Sequence, residues 1–327
     1  MAREIAISRF GGPEVLETRE VPDSTPRPGE VQIRQTAIGV NFTDVHGRRG
    51  DYDNLRSAPM PLVLGMEAAG VVEALGEGVE RFRVGERVAY ASGPVGSYRE
   101  RRNFSAARCV SLPVGVSDRD AAAVLLKGLT VHMLVRRVCR VAPGTWVVFH
   151  SAAGGVGTLA GQWLRSIGAR AIGIVGTQDK VGTARAAGYE AVFVRGRDDW
   201  PARVRELSGG GVPVVYDPVG RDTWEGSLSS LAPRGHLVCF GNSSGLVPPF
   251  SVNGLRDRGS LALSWVRFSD YTADRTELET AARELFHALL SGALRPAAPH
   301  CMPMAQAAEA HRLLESGKTT GTLVLVP

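Results

Sequence analysis

Several things this sequence lacks narrow its reading before any motif is considered. Its four cysteines, Cys109, Cys139, Cys239 and Cys301, stand apart with no C-x-x-C pair. That spacing argues against a disulfide framework or a cysteine-rich zinc lobe and leaves buried or inert thiols. No apolar run is long enough to cross a bilayer, and the opening MAREIAISRFGGPEV carries Arg3, Glu4 and Arg9 where a secretion signal would be apolar. The expected location is the cytoplasm, away from membranes. The 39 glycines and 19 prolines follow no fixed period, which excludes a fibrous repeat. At 327 residues, 44% hydrophobic and 22% charged, the chain is an ordinary globular protein with room for two domains. The net charge of +5 raises the question of an acidic partner. Basic residues cluster at Arg99, Arg101 and Arg102 and again at Arg136, Arg137 and Arg140, without the interleaved aromatics of a nucleic-acid surface. They read as solvated faces, with a phosphorylated cofactor accounting for part of the excess charge.

What the sequence does contain is organised around Trp146 to Arg170, WVVFHSAAGGVGTLAGQWLRSIGAR. Val147, Val148 and Phe149 follow the turn signal Pro143-Gly144 and suit a buried parallel strand. From Gly157 onward, Leu159, Trp163, Leu164 and Ile167 recur at helical spacing, and Gly168 falls where a C-cap is expected. Between strand and helix lies Ala152-Ala153-Gly154-Gly155-Val156-Gly157, a glycine turn whose first Gly is replaced by Ala. Such glycines let backbone approach a dinucleotide pyrophosphate, which then sits on the positive end of the helix. Plain strand-to-helix turns also need Gly, so the flanking strand and helix carry the cofactor reading.

The first hundred residues are rich in short strands, as in 30–41 and 68–91, with a hairpin turn at Gly76-Glu77-Gly78-Val79. They read as a β-rich barrel or sandwich. Helical texture begins near Asp118. After the glycine turn come strands at 171–175, 191–194, 212–216 and 235–241, with helices at 180–187, 200–207 and 224–231 between them. This is the βαβ repetition of a doubly wound α/β sheet, with a sixth strand at 261–266. Helices at 275–291 and 304–316 and a strand at 322–326 are expected to return to the N-terminal domain.

On FGGPEVLE, AIGVNFTDVHGRRGDY, GMEAAGVVEALGEGV, LLKGLTV, AAGGVG, VVYDPVGRDTW and CFGNSSG, in that order, the chain resembles the medium-chain dehydrogenase/reductase superfamily. Within it, the resemblance is to the zinc-free NADPH:quinone oxidoreductases. It implies a GroES-like catalytic domain of residues 1–124 and 266–327, a Rossmann NADPH-binding domain of 125–265, and a homodimer joined through cofactor-domain sheet edges. In zinc-dependent relatives the positions of Asn41 and Met66 hold a Cys and a His; neither residue here is a credible zinc ligand. His46 has no Cys or His partner at ligand spacing and reads as a pocket or surface histidine.

An acid at the end of the second strand would select NAD, yet that place holds Val175-Gly176-Thr177. With no repulsion there, Gly176, Thr177 and Lys180 favour NADPH, while Asp179 partly neutralises the site. Arg195 stands where the family usually has Tyr and can stack on adenine and pair with phosphate. The resemblance further implies pyrophosphate contacts from Ala153, Gly154, Gly155 and Val156, cofactor contacts from Lys127, Thr130 and Asn41, and Phe240, Gly241 and Asn242 over the nicotinamide. Asn41, Tyr52 and His46 are the candidates on the catalytic, acceptor side. Asp217 reads as a strand-end hydrogen-bonding residue rather than an acid catalyst. Quinone reduction leads, with enone or enoyl reduction as the alternative and an NADPH-carrying RNA-binding protein as a third reading.

Overall fold

The structure, a computed structural model, describes residues 1–317, 319 and 321–327. By compactness the chain forms two units. One comprises Met1–Leu126, Thr272–Leu290 and Pro296–Pro327; the other comprises Lys127–Tyr271 with Ser291–Arg295.

The second unit is built on six parallel strands. Their order across the sheet is Ala191–Val194, Arg170–Val175, Trp146–His150, Val212–Asp217, Leu231–Cys239 and Ala262–Trp265. Val147, Val148, Ile172, Val215 and Leu237 are fully buried, as strands covered on both faces require. Burying each such side chain is worth roughly 1.5–3 kcal/mol, so apolar burial rather than pairing fixes which strands lie central. Strand order reverses between Trp146–His150 and Val212–Asp217. The carboxyl ends of those two strands flank the crevice where ligands bind in open α/β sheets.

The helix Gly155–Ile167 buries Leu159, Trp163 and Leu164 and ends at Gly168, whose φ of 82° lets its N–H close on Leu164 and Arg165. It begins two residues before the expected Gly157. Leu231, expected to end a helix, instead opens a strand, because it pairs with Val212 and the preceding helix is only Trp224–Ser229.

The first unit holds a seven-stranded sheet. The strands Glu30–Val40, Glu67–Leu75 and Arg87–Ala91 pair antiparallel, and Leu323–Val326 adds to the other side of Glu30–Val40. The tail therefore completes this sheet, with helices Arg275–Leu290 and Ala307–Glu315 in the same unit. Several elements were not legible. Ala2–Ile7 pairs with Leu16–Val21, His300–Pro303 lies parallel to Leu323–Val326, and Phe42–Arg49 is helical. Each is short or irregular in hydrophobic period, so partners rather than local pattern decide it.

Candidate active site

In the second unit the glycine turn brings strand and helix closer than any side chain allows. A Cβ on Gly157 would stand 2.7 Å from the Ala152 Cα, and one on Gly155 would stand 3.0 Å from the Lys127 Cε. Ser151 turns the chain with a φ of 54°. Gly154 is the N-cap of Gly155–Ile167 and supplies no side-chain cap, so the first-turn amides stay open to an anion. Ala153, Gly154, Gly155 and Val156 make up this cradle, with Lys127 beside it and Thr130 a turn further along the helix Asp118–His132. The cradle fits a pyrophosphate.

At the end of Arg170–Val175, Gly176 faces open space and no carboxylate stands at 175–177. Thr177 hydrogen-bonds Asp179, and that bond holds the Asp179 carboxyl below its ordinary pKa. Lys180 closes the turn Gln178–Lys180. Arg195 donates its backbone N–H to Val175 O at 2.8 Å, and among the described residues its buried Nη1 has no hydrogen-bond partner, Asp222 lying 3.9 Å away. Arg197 is spent on Gln178 at 2.7 Å. These groups suit an adenosine carrying a 2′-phosphate.

Asp217 organises the neighbouring strand end. One carboxylate oxygen accepts from Val219 N–H at 2.8 Å, Gly220 N–H at 3.2 Å and the Thr223 hydroxyl at 2.9 Å; the other accepts from Ser227 at 2.7 Å. Ser227 also lies 2.9 Å from His150 Nε2. Burial pushes the Asp217 pKa up, and His150 with the Ser227 and Thr223 hydroxyls outweighs it, so the carboxyl ends below its ordinary value. Burial pushes the His150 imidazole down, against the opposing pull of Asp217. The strand-end hydrogen-bonding role expected for Asp217 is the one observed. Phe240 N–H donates to Asp217 O at 3.0 Å, and the Phe240 ring lies 5.7 Å from Phe149, which sets Phe240, Gly241 and Asn242 against this loop. His150 and Ser227 carried no sequence signal, because their pairing joins residues 77 apart.

In the first unit, Asn41 is the N-cap of Phe42–Arg49. Its N–H donates to Asp44 at 2.8 Å and its side-chain amide donates to the buried Glu67 carboxylate at 2.8 Å. Glu67 also accepts from Leu126 N–H at 2.6 Å. Thr43 Oγ1 lies 3.2 Å from the Tyr52 hydroxyl and 3.8 Å from Met66 Sδ. His46 Nδ1 is 2.7 Å from Asp51, with its ring 5.8 Å from that of Tyr52. Burial pushes the Tyr52 phenol above its ordinary pKa, which keeps it a proton-bearing donor. The structure thus brings His46, Tyr52, Thr43 and Met66 together, with Asn41 held by the carboxylate of the residue next to Met66. Thr43 and Glu67 were missed as site residues; Glu67, a lone acid opening an apolar strand, was the available clue.

This donor set does not fit zinc. An amide that donates to a carboxylate and a thioether stand where thiolate and imidazole would be needed, and among the described residues no three His, Cys, Asp or Glu converge.

One expectation is corrected. The cluster Arg99, Arg101 and Arg102 is not a solvated face: Arg102 is buried against the Tyr90 and Phe104 rings at 4.9 and 4.4 Å, and Arg99 and Arg101 pair with Glu4 and Glu73. Of the thiols, Cys109 and Cys239 are buried, with burial pushing both up to about 12, while Cys301 is exposed.

Residues 27–116 match the alcohol dehydrogenase GroES-like domain, and residues 155–285 match the zinc-binding dehydrogenase family. A quinone oxidoreductase of Pseudomonas aeruginosa is 43% identical over 329 residues, covering 100% of both chains. Quinone oxidoreductase 1 of Escherichia coli is 41% identical, again covering 100% of both. A 2-haloacrylate reductase from Burkholderia is 38% identical, covering 100% of this chain and 99% of the relative. Among solved structures, the E. coli quinone oxidoreductase complexed with NADPH superimposes with a TM-score of 0.95 at 41% identity, covering 99% of this chain and 100% of that one.

Proposed function

The chain belongs to the zinc-free quinone oxidoreductases of the medium-chain dehydrogenase/reductase superfamily, and from that premise we propose that it is an NADPH-dependent reductase whose acceptor is a quinone. NADPH, when bound, supplies the hydride. The protein supplies position and a water-poor setting. The cradle of Ala153, Gly154, Gly155 and Val156 holds the pyrophosphate at the helix start, Gly154's own N–H being given to Ser151 O at 2.9 Å, with Lys127 and Thr130 alongside. Gly176 leaves room for the adenosine ribose, and Thr177, Lys180 and Arg195 take its 2′-phosphate. Phe240, Gly241 and Asn242, fixed by the Asp217 loop, flank the nicotinamide.

Asn41, Tyr52 and His46 serve the acceptor. Tyr52 donates to the oxygen on which charge develops, Asn41 is held rigid by Glu67, and His46, tied to Asp51, walls the site. The reduced quinone leaves as a stabilised oxyanion that water protonates, so no dedicated general acid is required. The observation that carries the reading is the Asn41–Glu67 bond at 2.8 Å, which commits an amide where a zinc ligand would stand. Acceptors that take hydride without a Lewis acid then fit best.

The test is NADPH oxidation by a benzoquinone and a naphthoquinone without added metal. Activity abolished by a chelator and restored by zinc overturns the reading. Enone reduction is the second reading, favoured by the 2-haloacrylate reductase at 38% identity. It prevails if an α,β-unsaturated ketone gives a far higher kcat/KM than any quinone. RNA binding loses support from the internal use of Arg99, Arg101 and Arg102.

A homodimer is proposed through the outer edge of Ala262–Trp265, where Trp265 is 51% exposed, and light scattering on the purified protein decides it. No helix among the described residues is long and apolar enough to cross a membrane.

A further inference from the structure

The helix Phe42–Arg49, which carries Thr43 and His46 and has Asn41 at its N-cap, also buries a charged face. Asp44 and Arg48 lie one turn apart on it and are 2% and 1% exposed. Arg48 lies 3.2 Å from His311 Nδ1, His311 Nε2 lies 2.9 Å from the Tyr98 hydroxyl, and Tyr98 donates to Asp44 Oδ2 at 3.2 Å. The same Asp44 oxygen accepts the Asn41 N–H at 2.8 Å, the reciprocal bond of a capping box. These contacts run in one direction. A guanidinium only donates, so His311 Nδ1 accepts. Burial and the Arg48 charge keep the imidazole neutral, so its one proton sits on Nε2 and goes to the Tyr98 oxygen. The Tyr98 proton is then left for Asp44, and the chain ends on the oxygen that fixes the N-cap amide.

Tyr98 bears on Asn41 by a second route. Its backbone N–H donates to Leu64 O at 3.0 Å. A Cβ on Gly65, whose φ is 90°, would stand 2.5 Å from the Tyr98 ring, so any side chain there would displace it. This segment leads straight into Met66 and Glu67, and the Glu67 carboxylate takes the Asn41 side-chain amide at 2.8 Å. The backbone and the side chain of Asn41 are thus both set by groups that Tyr98 holds in place.

We propose that Tyr98 and His311 are positioning residues of the reductase: through Asp44 they hold Asn41 and the helix behind it in the orientation that hydride transfer needs, without touching cofactor or acceptor. This rests on the reductase reading above. A misplacement of about 1 Å costs on the order of 100-fold in rate, so a hydroxyl buried away from the substrate has leverage on kcat. The helix Ala307–Glu315, from the far end of the chain, contributes to the acceptor side in this way.

The experiment takes wild type, Tyr98→Phe and His311→Leu, which break the chain, and His311→Gln, which keeps an acceptor for Arg48 and a donor for Tyr98. Nitrogen NMR of the wild type is expected to show His311 neutral with its proton on Nε2; a proton on Nδ1 overturns the proposal whatever the variants do. Tyr98→Phe and His311→Leu are expected to lower kcat for 1,4-benzoquinone by about tenfold, with the NADPH KM within about twofold of wild type. Amide exchange read by mass spectrometry, well below the melting temperature, is expected to quicken by about tenfold over residues 41–49 alone, and His311→Gln restores both readouts. A merely structural chain would quicken exchange equally through Glu67–Leu75 and Arg87–Ala91 and leave kcat per folded molecule unchanged. Either result, or failure of both chain-breaking variants to fold, overturns the proposal. If wild type turns over neither 1,4-benzoquinone nor cyclohexenone, the reductase reading falls by itself. Exchange over 41–49 then decides the chain, with equal rates in wild type and Tyr98→Phe counting against it.

Discussion

Acidification should destabilise the first unit through His311, and one substitution should remove the effect. His311 is fully buried on Ala307–Glu315, with Nδ1 3.2 Å from Arg48 Nη1 and Nε2 2.9 Å from the Tyr98 hydroxyl. Arg48, 1% exposed, is gripped by Glu315 at 2.8 and 2.9 Å, and Tyr98 donates to Asp44 at 3.2 Å. Burial pushes the imidazole down and the Arg48 cation pushes it further, against the opposing pull of Glu315, to about 3 from an ordinary 6.5. The folded ring is therefore neutral at pH values where the unfolded chain's is protonated. Because the unfolded state binds the extra proton, the full contribution is present above about pH 6.5 and is lost as the pH falls toward the folded value. Each pH unit inside that window is worth about 1.4 kcal/mol, so between about pH 6.5 and pH 5 this one residue removes about 2 kcal/mol. At roughly 2–4 °C per kcal/mol, the melting temperature of this unit drops by roughly 4–8 °C.

The Glu315 carboxyl, lowered chiefly by its hydrogen bonds to Arg48, acts in a separate window. Its contribution is present above the ordinary carboxylate pKa and is lost only below it. His311→Gln keeps a donor and an acceptor between Arg48 and Tyr98 but does not titrate, so its loss over the same interval should be smaller by about 2 kcal/mol. Circular dichroism melts across the interval measure the effect. Trp146, Trp163, Trp200, Trp224 and Trp265 all lie in the second unit, so tryptophan fluorescence reports that unit separately, and its melts should not differ between wild type and His311→Gln. A His311→Gln protein that loses as much stability as wild type between those pH values refutes the reasoning.

Three further outcomes are expected. Gly157→Ala drives a Cβ to 2.7 Å from the Ala152 Cα, a backbone that cannot swing aside, so NADPH affinity measured by fluorescence titration should fall by at least about tenfold; unchanged affinity would show that the turn yields. Lys180→Ala should raise the KM for NADPH by about three- to tenfold while leaving NADH little changed, and equal effects on both would move the phosphate site elsewhere. Asp217→Ala strips the acceptor from two hydroxyls and two N–H groups and should cost about 3 kcal/mol, read as an earlier fluorescence transition of the second unit; a shift within error would mean that those donors find other partners.

The amino-acid sequence determined a good deal by local rules alone. Apolar runs of strand length, helical periodicity and a glycine turn between them placed the cofactor sheet, because burial on both faces of a parallel strand leaves an unbroken apolar signature. The missing acid at Val175-Gly176-Thr177 and the residues Asn41 and Met66 were likewise readable, since each is a residue type at a position. What the sequence could not decide was which polar groups are already taken. Arg102 reads as a surface cation until Tyr90 and Phe104 close over it. His150, Ser227 and Asp217, or Arg48, Tyr98 and His311, meet only because strands and helices distant in the chain pack together. Hydrogen-bond partnership and burial are properties of the assembled core, and they decide which polar groups are left to meet a substrate.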